Sequence, residues 1–261
     1  MTRSRRTFDL GPAIVAFVAV IVLWEGAVRG FEIEAFVLPA PSVIVGRFVS
    51  AADEIWPAGL NTMIEAVVGL LGGTVLGVLV AFLTVRWVPV REGLMPFAIA
   101  ANSIPIIALA PIANGMFSIT SPVPKMVVVA IVVFFPVMIN TARGLLEVSP
   151  DEIELMRSYA AAPREILWRI RVPHALPYFF SALKVVAVLS IVFAIVAEYF
   201  GGSQDVLGQY ILTKAALFVY PDAWAGILVA SVLGLALYGI VILTERLVMP
   251  WHVSLRASDA S

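Results

Sequence analysis

Residues Phe179–Phe200 read FFSALKVVAVLSIVFAIVAEYF. Apart from Lys184 toward one end and Glu198 at the other, the run is almost entirely apolar or small. About 20 such residues are what an α-helix needs to cross the hydrocarbon core of a bilayer. A helix closes its backbone hydrogen bonds on itself, which is why it survives in lipid. Working outward, the same reading gives Pro12–Val28, Met63–Val85, Leu94–Ile112, Lys125–Thr141 and Trp224–Val248. The expected fold is therefore all-α, a polytopic membrane protein with six transmembrane helices. Pro96, Pro105 and Pro111 interrupt the third span, which is expected to be bent and to lie inside the bundle. Composition agrees: of 261 residues 61% are hydrophobic and 13% charged, against roughly a quarter charged in soluble domains. The mean hydropathy is +0.99.

The same numbers exclude several functions. A net charge of −1 gives no footprint for nucleic acid, and with no cysteine there is no disulfide, thiol catalysis or thiolate metal site. His174 and His252 are too scattered for a metal cluster, so no metal, cofactor or catalytic residue is expected. No G-x-x-x-x-G-K-[ST] phosphate loop occurs, so any ATP must be bound by another chain. The apolar run near the N-terminus is long for a signal peptide and is read as an uncleaved first helix. Orientation follows from basic residues. With the N-terminus in the cytoplasm, thirteen of the 17 lysines and arginines fall inside, leaving Arg29, Arg47, Lys125 and Lys214 outside. Both termini are expected in the cytoplasm. Gly69, Gly73 and Gly77 share one face of the second span, a spacing that lets two helix backbones approach. Two outer segments, Gly30–Asn61 and Gly201–Asp222, are long enough to be structured, either as lids over the helix ends or as surfaces for a partner.

From Ala142 to Tyr178 the chain leaves the membrane for longer than a passive connector needs. Ser149 in the cap position, Pro150 in the first turn and Glu152 three residues after the cap mark a helix start, expected to run to about Tyr159. Ala160–Pro163 breaks it, and a second short helix puts Ile166, Leu167 and Ile170 on one face. On pattern alone this is either a stiff elbow carrying motion into the bundle or an amphipathic pair lying on lipid headgroups.

The segment resembles the cytoplasmic signature of binding-protein-dependent ABC importer permeases, E-A-A, three residues, G, nine residues, I-x-L-P. Glu154 takes the glutamate position, Ala160 the glycine, Ile170 the isoleucine and Val172-Pro173 the L-P. Leu155-Met156 replaces the two alanines. Alanine at 160 argues against a left-handed backbone there, because alanine is strained at positive φ where glycine is not. Leu38-Pro-Ala-Pro-Ser42, Asn102-Ser-Ile-Pro105, Ala108-Leu-Ala-Pro111, Phe134-Phe-Pro136, Asn140-Thr141 and Ala197-Glu198 extend the resemblance to the nitrate, taurine and sulfonate branch. That branch also includes permeases for hydroxymethylpyrimidine-type thiamine precursors and riboflavin. The resemblance implies a type I importer fold in the bacterial inner membrane, as one permease domain over 1–261 with core 57–250 and coupling loop 143–177. It also implies a second permease subunit, in a homodimer, a cytoplasmic ABC ATPase dimer and an extracytoplasmic solute-binding protein. Glu154, Leu155, Arg157, Tyr159, Ala160, Ala161, Ile170 and Pro173 would then couple the ATPase. A pyrimidine-like precursor or riboflavin is preferred as solute over nitrate or taurine on this resemblance.

Polar groups at membrane depth normally face the bundle interior or water. Asn102, Ser103, Pro105, Phe135 and Glu198 are the candidates for the translocation pathway. Asn102 and Ser103 serve equally as partners for carbonyls freed by Pro105, and Glu198 as a partner for the outer loop. Glu65, Asn140, Thr141 and Lys184 lie near span ends and are expected to reach the interface. An ion-gradient transporter would show mid-span carboxylates and inverted repeats, and an intramembrane enzyme a His, Ser or acid constellation. Neither pattern is present in the sequence, and a non-transporting assembly subunit is opposed by the signature loop alone.

Overall fold

The computed structural model describes residues 10–250 except 102–104, 106, 107 and 119. Among these residues the chain is helical, with no strand. The helices are α1 (Leu10–Gly30), α2 (Pro41–Ser50), α3 (Ala52–Arg86), α4 (Val88–Ala101), α5 (Leu109–Met116), α6 (Val123–Leu146), α7 (Pro150–Ser158), α8 (Pro163–Ile166), α9 (Val172–Tyr199), α10 (Leu207–Ala216) and α11 (Tyr220–Val248). A π-helical turn, Leu167–Arg171, joins α8 to α9.

Among the described residues five segments are long and apolar enough to cross a membrane: Gly11–Gly30, Ala52–Arg86, Val123–Leu146, Pro163–Tyr199 and Tyr220–Val248. The count of six is not confirmed. The expected third span, Leu94–Ile112, is divided between α4 and α5, with Pro105 outside any helix. A proline disfavours helical geometry in the residue before it and cannot donate to the carbonyl four residues back. Pro96 and Pro111 are accommodated inside α4 and α5, and Pro105 stands at the break; the described pieces are 14 and 8 residues long, each by itself shorter than the ~20 needed to span.

The core is built on the α3–α6 seam. A side chain at Gly69 would put its Cβ 2.5 Å from Val129 Cβ, and one at Gly77 would meet the Phe134 carbonyl at 2.9 Å. One at Gly73 would collide with the Ala130 carbonyl. The three glycines thus let α6 lie on the α3 backbone, as their spacing predicts. Around this seam α9, α10 and α11 pack Val186, Ile191, Ile195, Leu207, Val229 and Leu233 into one buried cluster. Helix α1 stands apart, with most of its apolar side chains exposed, the surface that lipid covers in a membrane protein.

The polar residues in these helices are accounted for locally, with exceptions. Asn140 Nδ2 donates to the Pro136 carbonyl at 2.8 Å, one turn back. Lys184, expected at the interface, is half-buried. It forms a 3.0 Å ion pair with Glu245, tying α9 to α11. Glu65 is 3% exposed, in place of the interfacial position expected, and its Oε2 has no hydrogen-bond partner.

Candidate functional site: the elbow and the far-end clasp

The elbow between α6 and α9 is rooted before it projects. At the end of α6, Gly144 has Ala175 Cα only 2.7 Å from where its Cβ would stand, so α9 crosses the backbone of α6 there. Three polar links close the junction, and a fourth within the end of α6 holds Glu147 in place. His174 Nδ1 bonds the Gly144 carbonyl at 2.9 Å, and Arg171 donates to the Leu145 carbonyl at 3.0 Å. Tyr178 donates its hydroxyl to Glu147 at 3.1 Å, and Arg143 donates to the same carboxylate at 2.6 Å. Both carbonyls lie in the last turn of α6, where backbone acceptors have no helical partner. The Arg143 guanidinium, and after it Tyr178, holds the Glu147 carboxyl below the usual carboxylate range.

Beyond this root, α7 projects with none of its residues buried. Glu154, Arg157 and Ala160 are exposed, Leu155 is 57% exposed and Tyr159 77%. Ser149 occupies the cap position, as expected, but its side chain makes no capping bond. Ala160 corrects the expectation from its residue type: its φ is 57°. The Ala161 amide donates to the Met156 carbonyl at 3.0 Å and the Ala160 amide to that of Arg157 at 2.9 Å. This is a Schellman C-cap, in which the residue after the cap takes left-handed geometry. Two satisfied amides outweigh the ~1–2 kcal/mol that the conformation costs an L-residue. After the turn, the Ala162 amide donates to Glu165 at 3.0 Å, which starts α8. Ile166 is buried, with Leu167 and Ile170 half-buried, which is the face the sequence predicts.

The expected coupling residues therefore separate. Glu154, Leu155, Arg157, Tyr159, Ala160 and Ala161 are together on the projecting helix and its turn. Ile170 and Pro173 belong to the half-buried root.

The expected pathway residues do not converge. Asn102 and Ser103 lie outside the described residues, and Pro105 is exposed. Phe135 is half-buried beside Phe134, ring centroids 4.9 Å apart. Glu198 is about 15 Å away along α6, a distance set by the rise between Lys125, its neighbour, and Phe135.

Glu198 belongs to a clasp at the far end of the bundle. It is fully buried, accepts the Gly208 amide at 2.6 Å, and its backbone carbonyl accepts Gln209 Nε2 at 2.6 Å. Thr62 Oγ1 accepts the Leu207 amide at 2.9 Å. Lys125 Nζ donates to the Ser121 carbonyl at 2.7 Å and to Ser203 at 3.3 Å. Arg47–Asp222 and Lys214–Glu54 ion pairs join α2 to α11 and α10 to α3. Sequence reasoning missed Thr62, Lys125 and Gln209 here, and His174 and Arg171 at the root. The available signal at the clasp was Thr62 and Lys125 near the ends of apolar runs, beside an outer segment carrying Gly201, Gly202 and Gly208.

Residues 73–249 match the protein family described as binding-protein-dependent transport system inner membrane component. The chain is 29% identical over 251 residues to the formylaminopyrimidine transport permease protein of Halalkalibacterium halodurans, covering 95% of this chain and 98% of that one. It is 29% identical over 261 residues to the riboflavin transport system permease protein of Chloroflexus aurantiacus, covering 97% and 95%. Against a putative aliphatic sulfonates transport permease protein of Bacillus subtilis the identity is 26% over 254 residues, covering 96% and 91%.

Proposed function

Because the chain belongs to the family of binding-protein-dependent transport system inner membrane components, we propose that it is the permease subunit of an ATP-driven importer of a pyrimidine-type vitamin precursor or riboflavin. The family is one of multi-pass inner-membrane transport proteins, not of catalysts. The observation that carries the proposal is the elbow: a solvent-exposed helix whose root is clasped between two membrane helices by three polar links. A part fixed in that way moves with the bundle, so a cytoplasmic ATPase dimer holding α7 shifts α6 and α9. The remaining assembly follows: two copies of this chain, each one permease domain with core 57–250, and a solute-binding protein docking at α2 and α10. The termini then lie in the cytoplasm. Cargo selection rests on the relatives, two of which are named for formylaminopyrimidine and riboflavin.

The test is uptake by the reconstituted transporter with its ATPase and binding protein. E154K and A160W are expected to insert normally and to hydrolyse ATP without uptake. Unaltered transport by A160W overturns the coupling role. Labelled formylaminopyrimidine and riboflavin, competed with nitrate and taurine, read the solute. Competition by nitrate or taurine alone overturns the vitamin assignment.

A further inference from the structure

On its inner side the elbow encloses a groove of about 730 Å³ against the end of α3. Four arginines line it: Arg86 from α3, Arg157 from α7, Arg164 from α8 and Arg171 from the π-helical turn. Its floor is apolar, made by Phe82, Ile166 and their neighbours. Among the described residues none of these guanidinium groups forms an ion pair. Arg171 spends one N–H on the Leu145 carbonyl, and Arg157 and Arg91 lie close enough to repel it. The nearest carboxylate of α8, Glu165, is committed to Arg169 and the Ala162 amide and does not line the groove.

We infer that this groove binds the headgroup of an anionic phospholipid. Four guanidinium groups on a shared wall, with Arg157 close enough to repel Arg171, are stabilised by a phosphate diester, which takes bidentate hydrogen bonds from guanidinium. A phosphate alone would leave the apolar floor wet. A lipid covers it, because Phe82 and Val85 sit on the last turn of a membrane-crossing helix, where the glycerol and first methylenes lie. The headgroup then wedges between α3 and the elbow, on the side of α7 that carries Ile153 and Arg157. The inference depends on α3 and α9 lying in a membrane and not on which protein holds α7.

Trp168 reports on the site. Its ring is 6.0 Å from that of Phe82 and the residue is 56% exposed. The full chain, purified with whatever subunits accompany it, is placed in vesicles of phosphatidylcholine containing either dibrominated phosphatidylglycerol or dibrominated phosphatidylcholine. Subtracting the W168F protein isolates the Trp168 fluorescence. Bromine is expected to quench Trp168 at a several-fold lower fraction of phosphatidylglycerol than of phosphatidylcholine. R86Q/R164Q should remove the preference, at about fivefold per arginine, and R86K/R164K should keep most of it. Equal quenching by both lipids overturns the inference and favours a protein surface in the groove. So does a preference unchanged in R86Q/R164Q, and a preference abolished by millimolar inorganic phosphate means that the site takes free phosphate and not lipid. Lipid preference and solute uptake are separate readings, so the failure of one leaves the other standing.

Discussion

Ala160 concentrates the local physics of the elbow. The signature has glycine at this position, and the left-handed φ of 57° shows the backbone reason: the Schellman cap ending α7 requires it. Alanine holds the same geometry at a cost of ~1–2 kcal/mol, offset in part by the ~0.5–1 kcal/mol by which glycine is disfavoured through its greater unfolded freedom. Ala160→Gly is therefore expected to stabilise the turn by about 1 kcal/mol. Slower hydrogen exchange at the Ala160 and Ala161 amides would register it, and uptake should persist. Faster exchange would mean that the turn is held from outside the α7 cap. Phe218 ends α10 in the same way, with φ 61° and its own pair of reversed hydrogen bonds. Neither turn was legible from residue type, because propensity weighs one residue against glycine while the cap weighs two amides against water.

At the level of elements, the long apolar runs and the glycine face were legible because both are periodic. The interruption of the third span was legible only as prolines, not as two separate helices. The clasps were illegible for a different reason: Thr62, Glu198 and Gln209 meet only after three helices have packed, and no sequence spacing encodes that meeting. The seam makes a direct prediction. Gly73→Val drives a branched side chain into the Ala130 carbonyl and Val133 Cβ, with backbone that cannot turn aside. It should cost at least the ~1–3 kcal/mol of an overpacked core, seen as a lower melting temperature in detergent. Gly72→Val, one residue away with open space before it, should be neutral. The α9–α11 tie predicts an asymmetry of another kind. Lys184→Ala leaves the Glu245 carboxylate buried without its cation, at about 2–3 kcal/mol once partial exposure of the lysine is allowed for. Lys184→Met with Glu245→Leu should recover most of that in the same melt, since an apolar pair removes both charges from the interior.

For the molecule as a whole, the two ends differ in kind. The elbow end presents exposed cations and a projecting helix. The far end is closed by short helices, ion pairs and buried side-chain bonds to loop amides. The proposed orientation, drawn from the distribution of basic residues, puts the elbow end in the cytoplasm, and it decides whether an ATPase or a solute-binding protein meets α7. The absence of cysteine from the sequence makes it directly measurable. Tyr159→Cys on α7 and Phe218→Cys after α10 place single thiols at positions that are 77% and 73% exposed, at opposite ends of the bundle. A charged, membrane-impermeant maleimide added to intact cells should label the cysteine at 218 and not that at 159. Inside-out vesicles should reverse the pattern. Labelling at 159 in intact cells would invert the molecule, and α7 would then face the compartment without ATP. In that case the helix that looks built to receive force would have no nucleotide-driven partner to supply it.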